Sequence, residues 1–374
     1  MKITDYCFVY FNGRAEKLKG KDIRPRDFFY GYHYATSIGY ITEILEFGNK
    51  EPGNKILSKI LLKIQQLILK AFKFQYDFVG IIKPNNWKLL KNSKNIILSN
   101  QRIAHSLLPF LLYVKLFKKS NTITVIAMGL FNSSSKNFLI IKIHNFLHKI
   151  MLKNINRMVF IGQPEYLYAR KVFTRYSKKF QYIPFGVDKD FWKKKNTQDP
   201  SSDDYILFIG NDTNRDFDFL VSLANKLQNK KFIVVTEKLE ESDFKGTNVK
   251  LLNGSWNKDL LTDEYLRNLY DNAKITIVPL KEGLQPSGQS VTLQSMATET
   301  PVIITKTIGF WSQDDFIHKE NIYFTHSNDL EVWKNAIDSL YEDKDMYQSI
   351  SSNSRNLIER KYNSDYFNSL LIGK

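Results

Sequence analysis

KITIVPLKEGLQPSGQSVTLQSMATETPVIIT, from Lys274 to Thr305, reads as strand, loop, helix and strand. Ile275, Ile277, Val278 and Leu280 make a short apolar run of the kind a strand buried on both faces needs, and Val302 to Ile304 make a second. Between them Pro286, Ser287 and Gly288 interrupt the pattern and open a helix over Ser290 to Ala297. Its first turn leaves backbone N–H groups without intrahelical partners, at the positive end of the dipole. Ser287, Gly288, Gln289 and Ser290 are therefore candidate ligands for a phosphate or diphosphate. The alternative is a strand-to-helix turn that binds nothing.

Outward from that stretch, 374 residues exceed the usual size of one core, so two domains are expected, 1–187 and 205–374, joined by a linker over 188–204. Within the linker, WKKKNTQDPSSDD from Trp192 to Asp204 is polar and loses the apolar pattern. A 43% hydrophobic and 14% aromatic content excludes a disordered chain. The single cysteine, Cys7, excludes a disulfide framework and suits a reducing cytosol. The N-terminus lacks the order of a signal peptide, and no run reaches the roughly 18 uncharged apolar residues of a membrane span.

Charge is unevenly placed. Residues 1–190 hold 32 Lys+Arg against 11 Asp+Glu, a net of +21, while the remainder nets −5. Between Asp77 and Glu165 there is no acidic residue. A basic half suits nucleic acid, an anionic membrane or a negatively charged substrate. From Asn54 to Phe74, Lys55, Lys59, Lys63 and Lys70 recur at helical spacing opposite Ile56, Ile60, Leu67 and their apolar neighbours. This is a helix for an anionic lipid surface or a core helix with a lysine-rich outer side. Nucleic acid is disfavoured, because the basic half alternates lysine with aliphatic runs and has no RNA-binding motif.

The first half reads as strands Tyr6 to Phe11, Asp77 to Lys83, Asn95 to Ser99, Thr122 to Ala127, Arg157 to Ile161 and Gln181 to Pro184. Asn12-Gly13 marks the turn after the first strand. RPRDFFYGYHYATSIGYITEILEF reads as a loop leading into a helix, and SNQRIAHSLLPFLLYVKLFKK as one helix with His105 in its opening turns. The loop after a parallel strand faces a cleft, which makes His105 a candidate sugar or phosphate contact, with a structural histidine as the alternative. His144 and His148, four apart on a basic helix, read as surface histidines and not as a metal pair.

LQSMATETPVI resembles the "L-E-A-M-A-x-G-x-P-V-I" segment of retaining glycosyltransferases of the large family 4 type, the glycosyl transferases group 1. YIPFGVDKDFW (Tyr182 to Trp192), YILFIG (Tyr205 to Gly210) and the tail from Glu320 to Tyr362 agree with that family in order and spacing. The resemblance implies an α/β architecture of two Rossmann-like domains facing a cleft, the GT-B fold, with the last helix crossing back to the first domain. It also implies a nucleotide diphosphate sugar as donor substrate, with no cofactor and no bound metal.

By the same resemblance the donor is held by Gly210, Asn211, Arg215, Lys238, Trp256, Ser287, Gly288, Gln289, Ser290 and Gln294. The acceptor side holds Gly13, Arg24, Arg26 and His33, the two arginines being solvated turn residues on the alternative reading. The family's Gly-Arg turn is Gly210-Asn211 here, and Arg215 stands near its lysine. Its two glutamates, spaced Glu-x7-Glu, fall on Pro286 and Gln294, so Glu282, Lys281 or Gln289 must serve for the first. A histidine that contacts the sugar in many members falls on Met128. Asp27, His33 and His105 are the scarce candidates for a general base, which favours a retaining transfer. His105, Arg215 and Glu282 are the catalytic candidates. The resulting expectation is a cytoplasmic glycosyltransferase, peripheral on the inner face of the cytoplasmic membrane, acting on a lipid-linked or polysaccharide acceptor. A non-catalytic nucleotide-sugar-binding or accessory protein is the alternative.

Overall fold

The computed structural model describes residues 3–11, 13–19, 24–47, 55–72, 76–77, 83–131, 137–195, 204–254 and 260–373, with residues 55–58 described by backbone alone. Two parallel sheets organise them. The first runs β2-β1-β3-β4-β5-β6, with β1 Thr4–Phe11, β2 Thr42–Phe47, β3 Ser93–Leu98, β4 Thr122–Ala127, β5 Arg157–Phe160 and β6 Phe180–Tyr182. The second runs β12-β11-β10-β7-β8-β9, with β7 Tyr205–Ile209, β8 Lys231–Val235, β9 Val249–Leu252, β10 Ile275–Val278, β11 Val302–Thr305 and β12 Tyr323–Thr325. Every ladder pair is parallel. Such sheets carry helices on both faces, which is why β10 and β11 are apolar at nearly every position and wholly buried.

Two expected elements differ. ITEILEF is not helical: it forms the edge strand β2, where Leu45 and Phe47 turn inward and Glu43 faces solvent. The segment pairs in parallel with β1, Thr42 to Phe47 against Tyr6 to Phe11, beyond Gly39 at φ +91°, which follows the short Tyr32–Ser37 helix. The helix after β3 is two, Gln101–Ser106 and Leu108–Leu116, because Pro109 has no N–H to continue the ladder. The proposed strand from Asp77 to Lys83 lies largely outside the described residues.

The two halves share one apolar cluster, which includes Phe8, Val159 and Phe185 of the first and Val278, Trp311 and Phe367 of the second. The helix Lys344–Arg360 stays with the second sheet, where Arg355 donates to Ala297 O at 2.7 Å. A separate helix, Ser364–Ile372, returns to the first sheet. There Arg157 donates to Leu371 O at 2.7 Å and Leu370 O at 2.8 Å, and the Tyr6 hydroxyl donates to Ile372 O at 3.1 Å. A guanidinium on the last carbonyls of a helix satisfies acceptors that the helix cannot. Val187 and Ser364 exchange backbone bonds with Tyr362 and Val187 at 2.9 and 2.8 Å. The approach is so close that a Cβ at Gly186 would stand 2.0 Å from Asn363 O, and only glycine fits.

Candidate active site between the two sheets

A cavity of about 300 Å³ opens at the C-terminal ends of β7 and β8, the edge where parallel sheets bind ligands, and residues of both halves line it. Arg215 lines it and is 3% exposed. Its Nε donates to Asp212 Oδ2 at 2.8 Å, and its Nη1 is buried with no hydrogen-bond partner. Two glycines make room for the guanidinium: a Cβ at Gly210 would stand 2.6 Å from Arg215 Nε, and one at Gly288 would stand 3.2 Å from Nη1.

Gly288, at φ +76°, is the N-cap of the Gln289–Ala297 helix and supplies no side-chain cap. An unpartnered guanidinium N–H therefore lies beside uncapped helix N–H groups. Both are donors, and an anion satisfies both. Ser290, in the first turn, lines the cavity. Ser287 does not: its hydroxyl accepts from Asn214 Nδ2 at 2.7 Å.

Gln294, two turns into the helix, lines the cavity and ties the halves together. Its Nε2 donates to Asp27 Oδ2 at 3.1 Å and its Oε1 accepts from the Tyr270 hydroxyl at 3.3 Å. Asp27 also accepts from Trp192 Nε1 at 2.7 Å and from the Asp188 backbone N–H. Burial pushes the Asp27 carboxyl up to about 7, against those bonds, which favour its charged form. Gln289 reaches the first half too, donating to Ile161 O at 3.1 Å. Pro286 packs where a Cβ at Gly162 would stand 3.1 Å from it, and Gln285 covers Gly129 in the same way at 2.7 Å.

Other residues singled out in the sequence have different surroundings. Asn211 lines the cavity, but its Oδ1 accepts from the Glu237 N–H at 2.7 Å and Thr236 Oγ1 at 2.9 Å, and its Nδ2 donates to Gly254 O at 2.6 Å. It staples the ends of β7, β8 and β9 together. Lys238 is exposed, and Trp256 lies outside the described residues. Glu282 is exposed and closes its own loop, accepting from Gly283 N at 3.0 Å and Ile308 N at 2.8 Å. It does not line the cavity.

Arg26 is held by carboxylates: Nε to Asp188 Oδ2 at 2.8 Å, Nη2 to Asp188 Oδ1 at 2.9 Å, with Asp190 and Asp365 at 3.3 Å each. Arg24 pairs with Asp263 across the halves at 3.4 Å. Gly13 stands at φ +107° before the Arg14–Lys19 helix, away from the cavity lining. His33 packs edge-on against Phe29, and burial, then the Arg26 charge, lowers its pKa.

His105 is 2% exposed, and its Nε2 meets Nδ1 of His148 at 3.0 Å. Burial, then the neighbouring histidines, holds His105 well below the usual range, and His148 falls to about 3. His148 is thus buried, not at the surface, because the helix Phe138–Asn154 turns it inward against the Gln101–Ser106 helix. Met128 exchanges backbone bonds with the Gln101 side chain at 3.0 and 3.2 Å.

Two roles escaped the sequence reading. Trp192, placed in the linker, is buried against Asp27 and lines the cavity. Glu165, the acid that ends the acid-free span, is buried and accepts from Gly129 N at 3.3 Å and from the Leu130 N–H. Burial raises it to about 7 despite those bonds. Its position after a span with no other acid was the one available signal.

Solved structures with the same two-sheet architecture cover nearly the whole chain. HepE of Anabaena in complex with UDP aligns over 99% of this chain and 98% of that one, at 12% identity and a TM-score of 0.63. Sucrose-phosphate synthase of Thermosynechococcus elongatus aligns over 98% and 97%, at 15% identity and 0.68. A glycosyltransferase of Rickettsia africae aligns over 99% of both chains, at 14% and 0.66.

The fold is GT-B.

Residues 203–343, which carry all six strands of the second sheet, match the family model described as Glycosyl transferases group 1. No curated protein matches the chain by sequence. The GT-B cleft lies between the two sheets, and the Arg215 cavity is part of it.

Proposed function

We propose that the protein is a glycosyltransferase that takes a sugar from a nucleotide diphosphate sugar and passes it, with retention, to a lipid-linked or polysaccharide acceptor. The observation that carries this is the buried Nη1 of Arg215, without a partner, beside the uncapped start of the Gln289–Ala297 helix. A diphosphate satisfies both sets of donors. Relatives of the same fold include HepE, solved with UDP and with UDP-glucose, which makes uridine the first base to test.

The lining of the cavity supports the retaining reading. Among the described residues it carries no histidine, and its two acids, Asp212 and Asp263, are engaged by Arg215 and Arg24. Asp27, the other acid close by, accepts three hydrogen bonds. Among the described residues each acid at the wall is engaged, which favours a departing diphosphate that takes the acceptor proton while Arg215 and the helix N–H groups stabilise its charge.

The acceptor face is the basic first half. On the helices Lys55–Phe72 and Phe138–Asn154, Leu67, Phe138, Leu139 and Phe146 are each more than 60% exposed among lysines. His144 Nε2 meets Phe72 O at 2.7 Å, which joins the two helices into one apolar and cationic surface. No helix among the described residues is long and apolar enough to cross a membrane. The surface suits an anionic cytoplasmic leaflet, where lysines meet headgroups and apolar side chains enter the boundary. Co-sedimentation with anionic vesicles is expected, and should weaken when Lys55, Lys59 and Lys63 become Glu; undiminished binding removes the membrane assignment.

The donor assignment is tested by a thermal-shift panel of nucleoside diphosphates and their sugars. Ligand at about a hundred times its dissociation constant adds roughly 2.7 kcal/mol, a clear rise in melting temperature. If none raises it, the reading fails. A second reading, a GT-B protein that binds the nucleotide sugar without turnover, is favoured by one observation: Pro286 stands where a glutamate is expected and Glu282 is tied into its own loop. Nucleotide binding without hydrolysis or transfer, with membrane extracts as acceptor, would select it.

A further inference from the structure

A side-chain amide can stand either way round, and its orientation decides whether it offers an acceptor or a donor to a neighbour. At Gln294 the first half makes that choice. Asp27 is 2% exposed; its Oδ1 accepts from the Asp188 backbone N–H and its Oδ2 from Trp192 Nε1 at 2.7 Å. Both neighbours can only donate, so the Asp27 carboxylate turns acceptor oxygens towards Gln294 as well. The amide meets it with Nε2, which donates to Oδ2 at 3.1 Å. Oε1 is thereby placed on the other side, where it accepts from the Tyr270 hydroxyl at 3.3 Å. A carbonyl oxygen has two lone pairs, and Tyr270 uses one. Gln294 and Tyr270 both line the cavity, so a hydroxyl bound there can donate to the other. Gln294 lies five residues beyond Gln289, the first of the helix, a rise of roughly 7 Å. A phosphate at the helix start puts the sugar attached to it at about that distance.

We propose that Asp27 is a positioning residue for the donor: its carboxylate, in the first half, fixes the amide of Gln294, in the second, with Oε1 turned to accept from a ribose hydroxyl. This rests on the nucleotide-sugar reading above. The acid and the amide are also exchangeable in principle. Gln294→Glu alone would set two carboxylates against each other, whereas Asp27→Asn/Gln294→Glu reverses the donor and keeps the bond.

The test is calorimetric titration of UDP and of its 2′- and 3′-fluoro-deoxy analogues, above the Asp27 value of about 7 so that the carboxylate is charged. Fluorine cannot donate and would leave Oε1 short of a partner, so wild type should bind one analogue about 10-fold more weakly than UDP. In Asp27→Asn the fixed Asp188 N–H keeps the remaining oxygen, and Nδ2 takes the place of Oδ2. The Gln294 amide then turns round, and the same analogue should bind within about 3-fold of UDP. Asp27→Asn/Gln294→Glu should restore the penalty, because a carboxylate offers only acceptors. Ratios taken within each protein are insensitive to a general loss of stability. Both analogues within about 3-fold of UDP in wild type overturn the assignment and leave the nucleotide reading intact. An undiminished penalty in Asp27→Asn, or none in the exchange variant, overturns it too. If wild type binds no UDP, the nucleotide reading fails and this inference with it.

Discussion

Two arginines stand near the cleft with opposite surroundings. Arg26 has a carboxylate for each of its nitrogens, and they come from three acids on two separated segments, Asp188, Asp190 and Asp365. Arg215 has one, Asp212, and keeps Nη1 buried beside a helix start. An arginine whose donors are consumed by the protein holds the protein together. One that carries a buried, unused donor into a cavity has that donor for something else. The guanidinium is the same in both places, and the count of partners separates clamp from ligand site.

The comparison breaks if either arginine behaves as the other should. The largest effect is expected from Arg26→Ala, which strands Asp188, 4% exposed, without its cation. Removing one partner of a buried pair costs about 3 kcal/mol, lessened here because Arg26 is itself a third exposed. Denaturant unfolding should show that loss, with nucleotide affinity unchanged in the folded fraction. Arg215→Ala should do the reverse. Asp212 is 39% exposed and can be hydrated, so stability should move by less than about 1 kcal/mol while UDP binding weakens about 10- to 100-fold.

Gly288→Ala sharpens the contrast. Its Cβ would press on Val278 at 2.7 Å in a backbone of positive φ, costing about 1–2 kcal/mol in a melt. It should also weaken UDP by crowding Arg215 Nη1. The smallest effect is in pH. Arg26 holds Asp188 below the usual range although burial alone would raise it, so this pair's stability is present above the unfolded carboxylate value and lost as pH falls. Asp27 has the opposite sign. Its folded value of about 7 lies above the unfolded value, so the folded state binds the proton more tightly and stability declines as pH rises from about 4 towards 7. Glu165, also raised to about 7, contributes with the same sign, so the Asp27→Asn variant should reduce the slope of the melting-temperature profile over that window without abolishing it; an unchanged slope would place the titration elsewhere.

Much of the second sheet was legible because its strands are short apolar runs set off by turn residues. Ile275 to Val278, Val302 to Thr305 and Tyr205 to Ile209 can be little else in a parallel sheet. ITEILEF was harder, since at an edge only alternate residues are buried and two glutamates remain on the strand. Arg215, Gly288, Ser290 and Gln294 lie near one another because two strand-to-helix turns meet at the same sheet edge, which spacing can suggest. The partners of Arg26 could not be read: Asp188 and Asp365 are 162 and 339 positions away. Nor could the fate of Asn211 and Glu282, whose side chains are engaged by the backbone of loops brought close only in the folded chain.

The most direct measurement is a crystal structure of the protein with UDP. The account predicts the β-phosphate within about 3 Å of Arg215 Nη1 and of the first N–H groups of the Gln289–Ala297 helix, with Arg26 still on Asp188. UDP bound elsewhere, or in this cavity with Arg215 Nη1 still without a partner, would contradict it.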